Sequence, residues 1–214
     1  MYILVVIKPC ITIPHCYNIS QMKKHIAIVS TIGAGKTTAA KYFTQKGFTY
    51  YRLSIAIYNE IEKRGLDYKN RTLLQDVGDE MRRKEGLSIL AKIAIKEFNK
   101  NPSKQYVIDS IRNHFEINEL KNKFKNQLLI IAIDAPIKTR YKRITSRAEY
   151  NEKYSYKKFL KINKRDLGIG NKDNQQNNQK CLDMAEENIY NDKSMKKLFK
   201  KLDTIYKKHF NKNF

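Results

Sequence analysis

The stretch "HIAIVSTIGAGKTTAAKYF", His25 to Phe43, constrains this chain more than any other: a short apolar run enters a turn with two glycines, followed directly by a lysine and two threonines, and then continues in a helix-like pattern. The spacing G-x-x-x-x-G-K-[ST] is met from Ser30 to Thr37, with serine in place of the first glycine. Each position has a physical reason. Glycines let successive backbone N–H groups curve around phosphate oxygens, and the helix that follows presents its positive end to the same anion. Lys36 then reaches the terminal phosphates, and the Thr37 hydroxyl is suited to ligate Mg²⁺. Gly33, Ala34, Gly35, Lys36, Thr37 and Thr38 are the expected nucleotide-binding set.

The rest of the chain alternates strand-like and helix-like runs. Ile26 to Val29, Thr49 to Leu53, Tyr106 to Asp109 and Leu128 to Ile133 are short apolar runs of the kind that form parallel strands buried on both faces. A fifth, shorter strand is expected at Asn188 to Tyr190 and a lysine-rich helix from Ser194 onward. Between strands, Ser54 and Ser88 read as helix caps, Leu73, Val77 and Met81 as one apolar stripe, and Leu90, Ala94 and Phe98 as another. The pattern predicts a three-layer α/β/α domain around a parallel sheet of about five strands. The polar segment Gly168 to Lys180, "GIGNKDNQQNNQK", reads as a loop or mobile segment, with a helix near Cys181 to Glu187 after it. Residues 1–21 read as an N-terminal extension outside a single domain spanning 22–214, an extra edge strand from "YILVVI" being the alternative.

Phosphate chemistry needs further charges. Asp109, closing the strand of "YVIDSIRN", is placed to orient a metal or the acceptor, whereas Asp134 reads as a cap for the helix starting at Pro136. Arg140, Arg143 and Arg147 fall at i, i+3 and i+7, one face of a helix, and lead into a tyrosine- and lysine-rich stretch through Lys158. That combination predicts a basic helical lid over about residues 140–180, with Arg143 and Arg147 as catalytic charges and Arg140 at the nucleotide.

Composition narrows the partners. The 214 residues carry 43 basic and 21 acidic side chains, a formal charge of +22, so polyanions are attracted and nucleic acid enters as a candidate partner. Lysine is spread along the whole chain, however, which suits a solvated surface around an anion site. Cys10, Cys16 and Cys181 form no CxxC pair and fit reduced thiols, and no apolar run approaches a membrane span, so a cytoplasmic protein without membrane contact is expected.

Several stretches together, "GAGKTTAA", "LLQDVGDEMRRKEG", "VIDSIRN", "IAIDAPIKTRYKRI", "KRDLGIG" and "AEENIYND", resemble the small P-loop nucleotide kinases, the broad set containing adenylate kinase, deoxynucleoside monophosphate kinases and dephospho-CoA kinase. The resemblance implies ATP and Mg²⁺ as cofactors, with Thr37 and Asp109 at the metal. It implies substrate-binding helices over about residues 54–100. It also implies acceptor contacts from Arg112, lid positions for Arg147 and Arg165, and Asn191 in the loop beside adenine. Arg82, Arg112 and Arg165 are the expected substrate-binding set. The pattern departs at Ile55 and Tyr58, where similar chains carry an aspartate and an arginine, and "RLS" at Arg52 to Ser54 does not match the acidic turn of dephospho-CoA kinases.

Two functions of different classes follow. One is an enzyme moving the γ-phosphoryl group of ATP to a small nucleotide acceptor, a (deoxy)nucleoside monophosphate first and dephospho-CoA less readily. The other is a nucleotide-dependent nucleic-acid-binding module, or a kinase acting on polynucleotide ends.

Overall fold

The computed structural model describes residues 23–67, 71–146, 155–170 and 172–210. The expected N-terminal extension and Arg147 lie outside them, as does the centre of the basic stretch after Arg147. The elements run β1 (His25–Ser30), α1 (Lys36–Gln45), β2 (Thr49–Arg52), α2 (Ile55–Lys63), α3 (Arg71–Glu85), α4 (Ile89–Lys100), β3 (Tyr106–Asp109), α5 (His114–Phe124), β4 (Leu128–Asp134), α6 (Ile137–Thr145), α7 (Tyr156–Leu167), α8 (Asn178–Asp183), β5 (Glu187–Tyr190) and α9 (Met195–Phe210).

The five strands form one parallel sheet in the order β2-β3-β1-β4-β5. Strand alternation splits its apolar residues between two cores. Ile26, Ile28, Leu129, Ile131 and Ile133 face α1 and α9, where Phe43, Leu198 and Leu202 meet them. Ala27, Val29, Ile130 and Ala132 face the other way, against the apolar stripes of α2 to α5. The central strands are thus buried on both faces, which is why they read as continuous apolar runs instead of alternating ones. A third, smaller cluster of Ile32, Ile144 and Phe159 ties the turn after β1 to α6 and α7.

Helix ends differ from the expected caps. Ser54 already has helical angles, φ −65 and ψ −9, so its hydroxyl cannot turn back onto the first turn. Ser88 donates to Glu119 at 3.0 Å instead of capping α4. Pro136, not Asp134, stands at the N-cap of α6. From residue 173 the polar segment after α7 is anchored: Asn113 donates to the carbonyls of Asp173 and Gln175, the Asn177 N–H donates to the Arg112 carbonyl, and α8 begins at Asn178. Side-chain amides supply the anchoring that apolar residues supply elsewhere. Among the described residues, no helix is long and apolar enough to cross a membrane.

Candidate active site

The site lies at the C-terminal ends of β1, β2 and β3, where parallel strands hand their chains to helix N-termini. Ser30 is the last residue of β1, paired with Ile133 in extended backbone, so the missing first glycine of the motif is a position that any residue can occupy. The turn itself is different. Gly33 and Gly35 adopt φ +80 and +111, the left-handed region that side chains avoid. A Cβ on Gly33 would stand 2.8 Å from the Arg140 carbonyl, and one on Gly35 would stand 2.6 Å from Asn191 Nδ2.

This geometry leaves the N–H groups of Gly33, Gly35, Lys36 and Thr37 without acceptors among the described residues, at the N-terminus of α1. Converging unsatisfied donors on a helix N-terminus fit a polyphosphate. Thr37 is exposed beside them, and Thr38 follows in the same turn of α1. The residues present therefore fit the phosphates of a nucleotide.

Lys36 reaches Asp109 at the end of β3, and the two side chains form a buried hydrogen-bonded ion pair. Tyr50 of β2 donates its hydroxyl to the other Asp109 oxygen at 2.7 Å. Burial brings the Lys36 ammonium down to about 8 despite the adjoining carboxylate. Burial pushes Asp109 upward, but Lys36 and the Tyr50 hydrogen bond outweigh it and hold the carboxyl below its usual range.

The arginines divide by role. Arg140 is buried, and its guanidinium donates to the carbonyls of Ala135 and Ile32 and to Asn163 Oδ1. Arg143 donates to the Ala34 carbonyl at 3.4 Å and the Asn191 carbonyl at 3.0 Å, while Asn191 Nδ2 donates to Ala34 at 2.8 Å. These three side chains hold the back of the phosphate loop. Asp134 joins them by accepting from the Thr31 hydroxyl at 2.5 Å. Arg165 bridges α7 to Asp76 and Asp79 of α3. Arg82 is engaged by Glu116 and Asp79.

Beside Lys36 opens a cavity of about 210 Å³. Arg52, Arg112, Ser110, Gln75 and Gln176 line it, and the buried Arg82 forms part of its wall. Arg52, Tyr50, Gln75 and Gln176 were not legible as site residues. Strand register carries the first pair: Arg52 lies opposite Asp109 across the β2–β3 pairing. The strand ending would have pointed to Arg52 had the two strands been aligned. Ser110 has φ +64, a left-handed backbone in a non-glycine residue next to Asp109.

Comparison with known proteins agrees with this architecture. The AAA domain family matches residues 26–161. A UPF0200 protein of Pyrococcus horikoshii is 30% identical over 148 residues, covering 68% of this chain and 79% of the relative. One of Pyrobaculum aerophilum is 30% identical over 145 residues, with 68% and 78% covered. The chain belongs to the UPF0200 family of AAA-domain P-loop proteins. In solved structures the same fold is found in TT1252 of Thermus thermophilus, with TM-score 0.58 at 17% identity, covering 89% of this chain and all of that one. Shikimate kinase of Acinetobacter baumannii, in complex with shikimate, gives TM-score 0.50 at 14% identity, covering 90% and 97%. The fold is that of the P-loop kinases.

Proposed function

We propose that the protein is a cytoplasmic Mg-ATP-dependent phosphotransferase that moves the γ-phosphoryl group to a small acceptor, a (deoxy)nucleoside monophosphate. One observation carries the reading: Lys36, at the mouth of the phosphate loop, also lines an adjoining cavity with the guanidinium side chains of Arg52 and Arg112. Donor and acceptor phosphates would meet at that lysine. ATP supplies the transferable phosphoryl group when bound.

The chain's own residues supply positioning and charge. Lys36 neutralises oxygens shared between donor and acceptor, and the N–H groups of Gly33, Gly35 and Thr37 bind the polyphosphate. Thr37 and Asp109 would hold Mg²⁺, Thr37 directly and Asp109 by orienting its shell, once Lys36 turns from the carboxylate to phosphate. A phosphate acceptor is already ionised at neutral pH and needs no general base, which suits a site where Asp109, the carboxylate beside Lys36, is taken up by Lys36 and Tyr50.

The test is a panel of acceptors: each nucleoside monophosphate and deoxynucleoside monophosphate, dephospho-CoA and a 5'-hydroxyl oligonucleotide, with ADP and phosphorylated product both followed. ADP formed in step with one phosphorylated nucleotide, and absent with Lys36→Ala, is the expected result. Phosphorylation of the oligonucleotide alone would transfer the assignment to polynucleotide ends. ATP bound without any product would favour a nucleic-acid-binding module, the reading to which the exposed lysines of α9 lend support.

A further inference from the structure

β2 ends at Arg52 and hands over to Leu53 and Ser54. The side-chain polar groups of Arg52, which is exposed, and of Ser54, whose hydroxyl is buried, have no hydrogen-bond partner among the described residues. The Arg52 guanidinium makes no hydrogen bond or ion pair among the described residues. It lies over the Tyr58 ring instead, 5.5 Å from the centroid. The Ser54 hydroxyl is buried and meets no partner among the described residues. Both residues line the cavity that Lys36 and Arg112 line.

We infer that Arg52, seated on Tyr58 and assisted by Ser54, is the specificity-determining contact for the acceptor, and that the group it selects is a phosphate monoester dianion. This deepens the phosphotransfer reading and rests on it. The charges around the cavity decide the chemistry. Lys36 is offset by Asp109, and Arg82 by Glu116 and Asp79. Arg52 and Arg112 remain without carboxylate partners among the described residues, two cations that line one cavity, the first at the end of β2 and the second in the turn that follows β3. A neutral hydroxyl acceptor would leave both charges unmatched, whereas a dianion matches them. A guanidinium presents a planar fork that binds two phosphate oxygens together, a geometry a lone ammonium cannot reproduce. Tyr58 holds that fork by cation–π attraction and removes rotamer freedom that binding would otherwise have to remove. The Ser54 hydroxyl gains in a phosphate oxygen the acceptor it lacks.

The experiment is calorimetric titration of the full chain, saturated with Mg-ADP, using each nucleoside monophosphate, the matching nucleoside and inorganic phosphate. It is repeated for Arg52→Met, Tyr58→Ala and Ser54→Ala after circular dichroism has shown native folding. ADP titration alone reports the nucleotide site. Arg52→Met should weaken the monophosphate about 10- to 100-fold. The same variant should leave ADP and the nucleoside unchanged. Tyr58→Ala should weaken the monophosphate about two- to fivefold. Equal monophosphate affinity in wild type and Arg52→Met, or a nucleoside bound as tightly as its monophosphate, overturns the inference. If the wild type phosphorylates a monophosphate and Arg52→Met does so with the same KM, only the inference falls. If Mg-ADP binds but no monophosphate does, the monophosphate-acceptor reading falls and takes the inference with it.

Discussion

Arg82 donates from Nε and Nη2 to a single oxygen of Glu116, at 2.9 and 2.8 Å, and neither side chain is more than 1% exposed. The second Glu116 oxygen receives the N–H groups of Arg112 and Asn113. One buried ion pair thus fixes both α3 and the turn that carries Arg112. Replacing either partner alone leaves an uncompensated charge in the interior, so Arg82→Met should lower stability by about 3–5 kcal/mol. Urea unfolding followed by circular dichroism checks this. If Arg82→Met kept its stability and lost only acceptor binding, Arg82 would be a substrate contact and not part of the frame.

Gly35→Ala introduces a side chain at φ +111 and places its Cβ 2.6 Å from Asn191 Nδ2. The strain should cost about 1–3 kcal/mol, and the loop must shift to relieve it. Nucleotide binding should therefore weaken more than stability does. ADP titration alongside thermal unfolding separates the two effects.

His25 lies stacked on Phe124, 3.9 Å between ring centroids, and its Nδ1 accepts the Tyr106 N–H at 3.3 Å. Burial, then the charges of Lys24 and Lys123, bring its imidazolium down to about 4. The folded state thus refuses a proton that the unfolded chain accepts below its ordinary value of 6.5. Stability should fall as pH drops from about 6.5 to about 4, by up to roughly 3 kcal/mol. His25→Phe should flatten that part of the profile in urea melts run between pH 4 and pH 7.

Lys36→Ala should reduce turnover by about 10²- to 10³-fold, the loss typical when one preorganised positive donor is removed from a phosphoryl or oxyanion site. With its ammonium held near 8, Lys36 is charged at neutral pH and loses its proton as pH rises through that value. Nucleotide affinity should accordingly be level below about pH 8 and decline above it, and in Lys36→Ala the decline should vanish. Fluorescent ADP titrations from pH 6.5 to pH 9.5 read this directly.

Polyanion binding should follow the surface, not the site. The outward lysines of α9, Lys196, Lys197 and Lys200 among them, are exposed. A single-stranded oligonucleotide should bind at low salt and be released steeply as salt rises, equally in wild type and Lys36→Ala. Binding that depended on ATP would contradict this.

The sheet was legible because its central strands are apolar on both faces and the phosphate loop has a fixed spacing. Ile26 to Val29 and Leu128 to Ile133 have no polar interruption, and only a strand covered by helices on both faces tolerates that. The burial of Arg82 and Arg140 was not legible, since each is satisfied by residues far along the chain, Glu116 and Asn163. The place of Arg52 beside the site is hidden for a related reason: it depends on the register of β2 against β3, which a single sequence does not display. The polar run after α7 looked unstructured because local pattern carries no sign of side-chain amides pairing with distant backbone.

That last arrangement has its own consequence. Asn113 grips residues 173 and 175 through their carbonyl oxygens, and Asn177 is held to Arg112 through main-chain atoms. A clasp that closes on backbone is indifferent to the letters of the segment it holds. The path of this wall of the cavity beside Lys36 can persist while its sequence drifts, so relatives will be easier to recognise here by shape than by spelling.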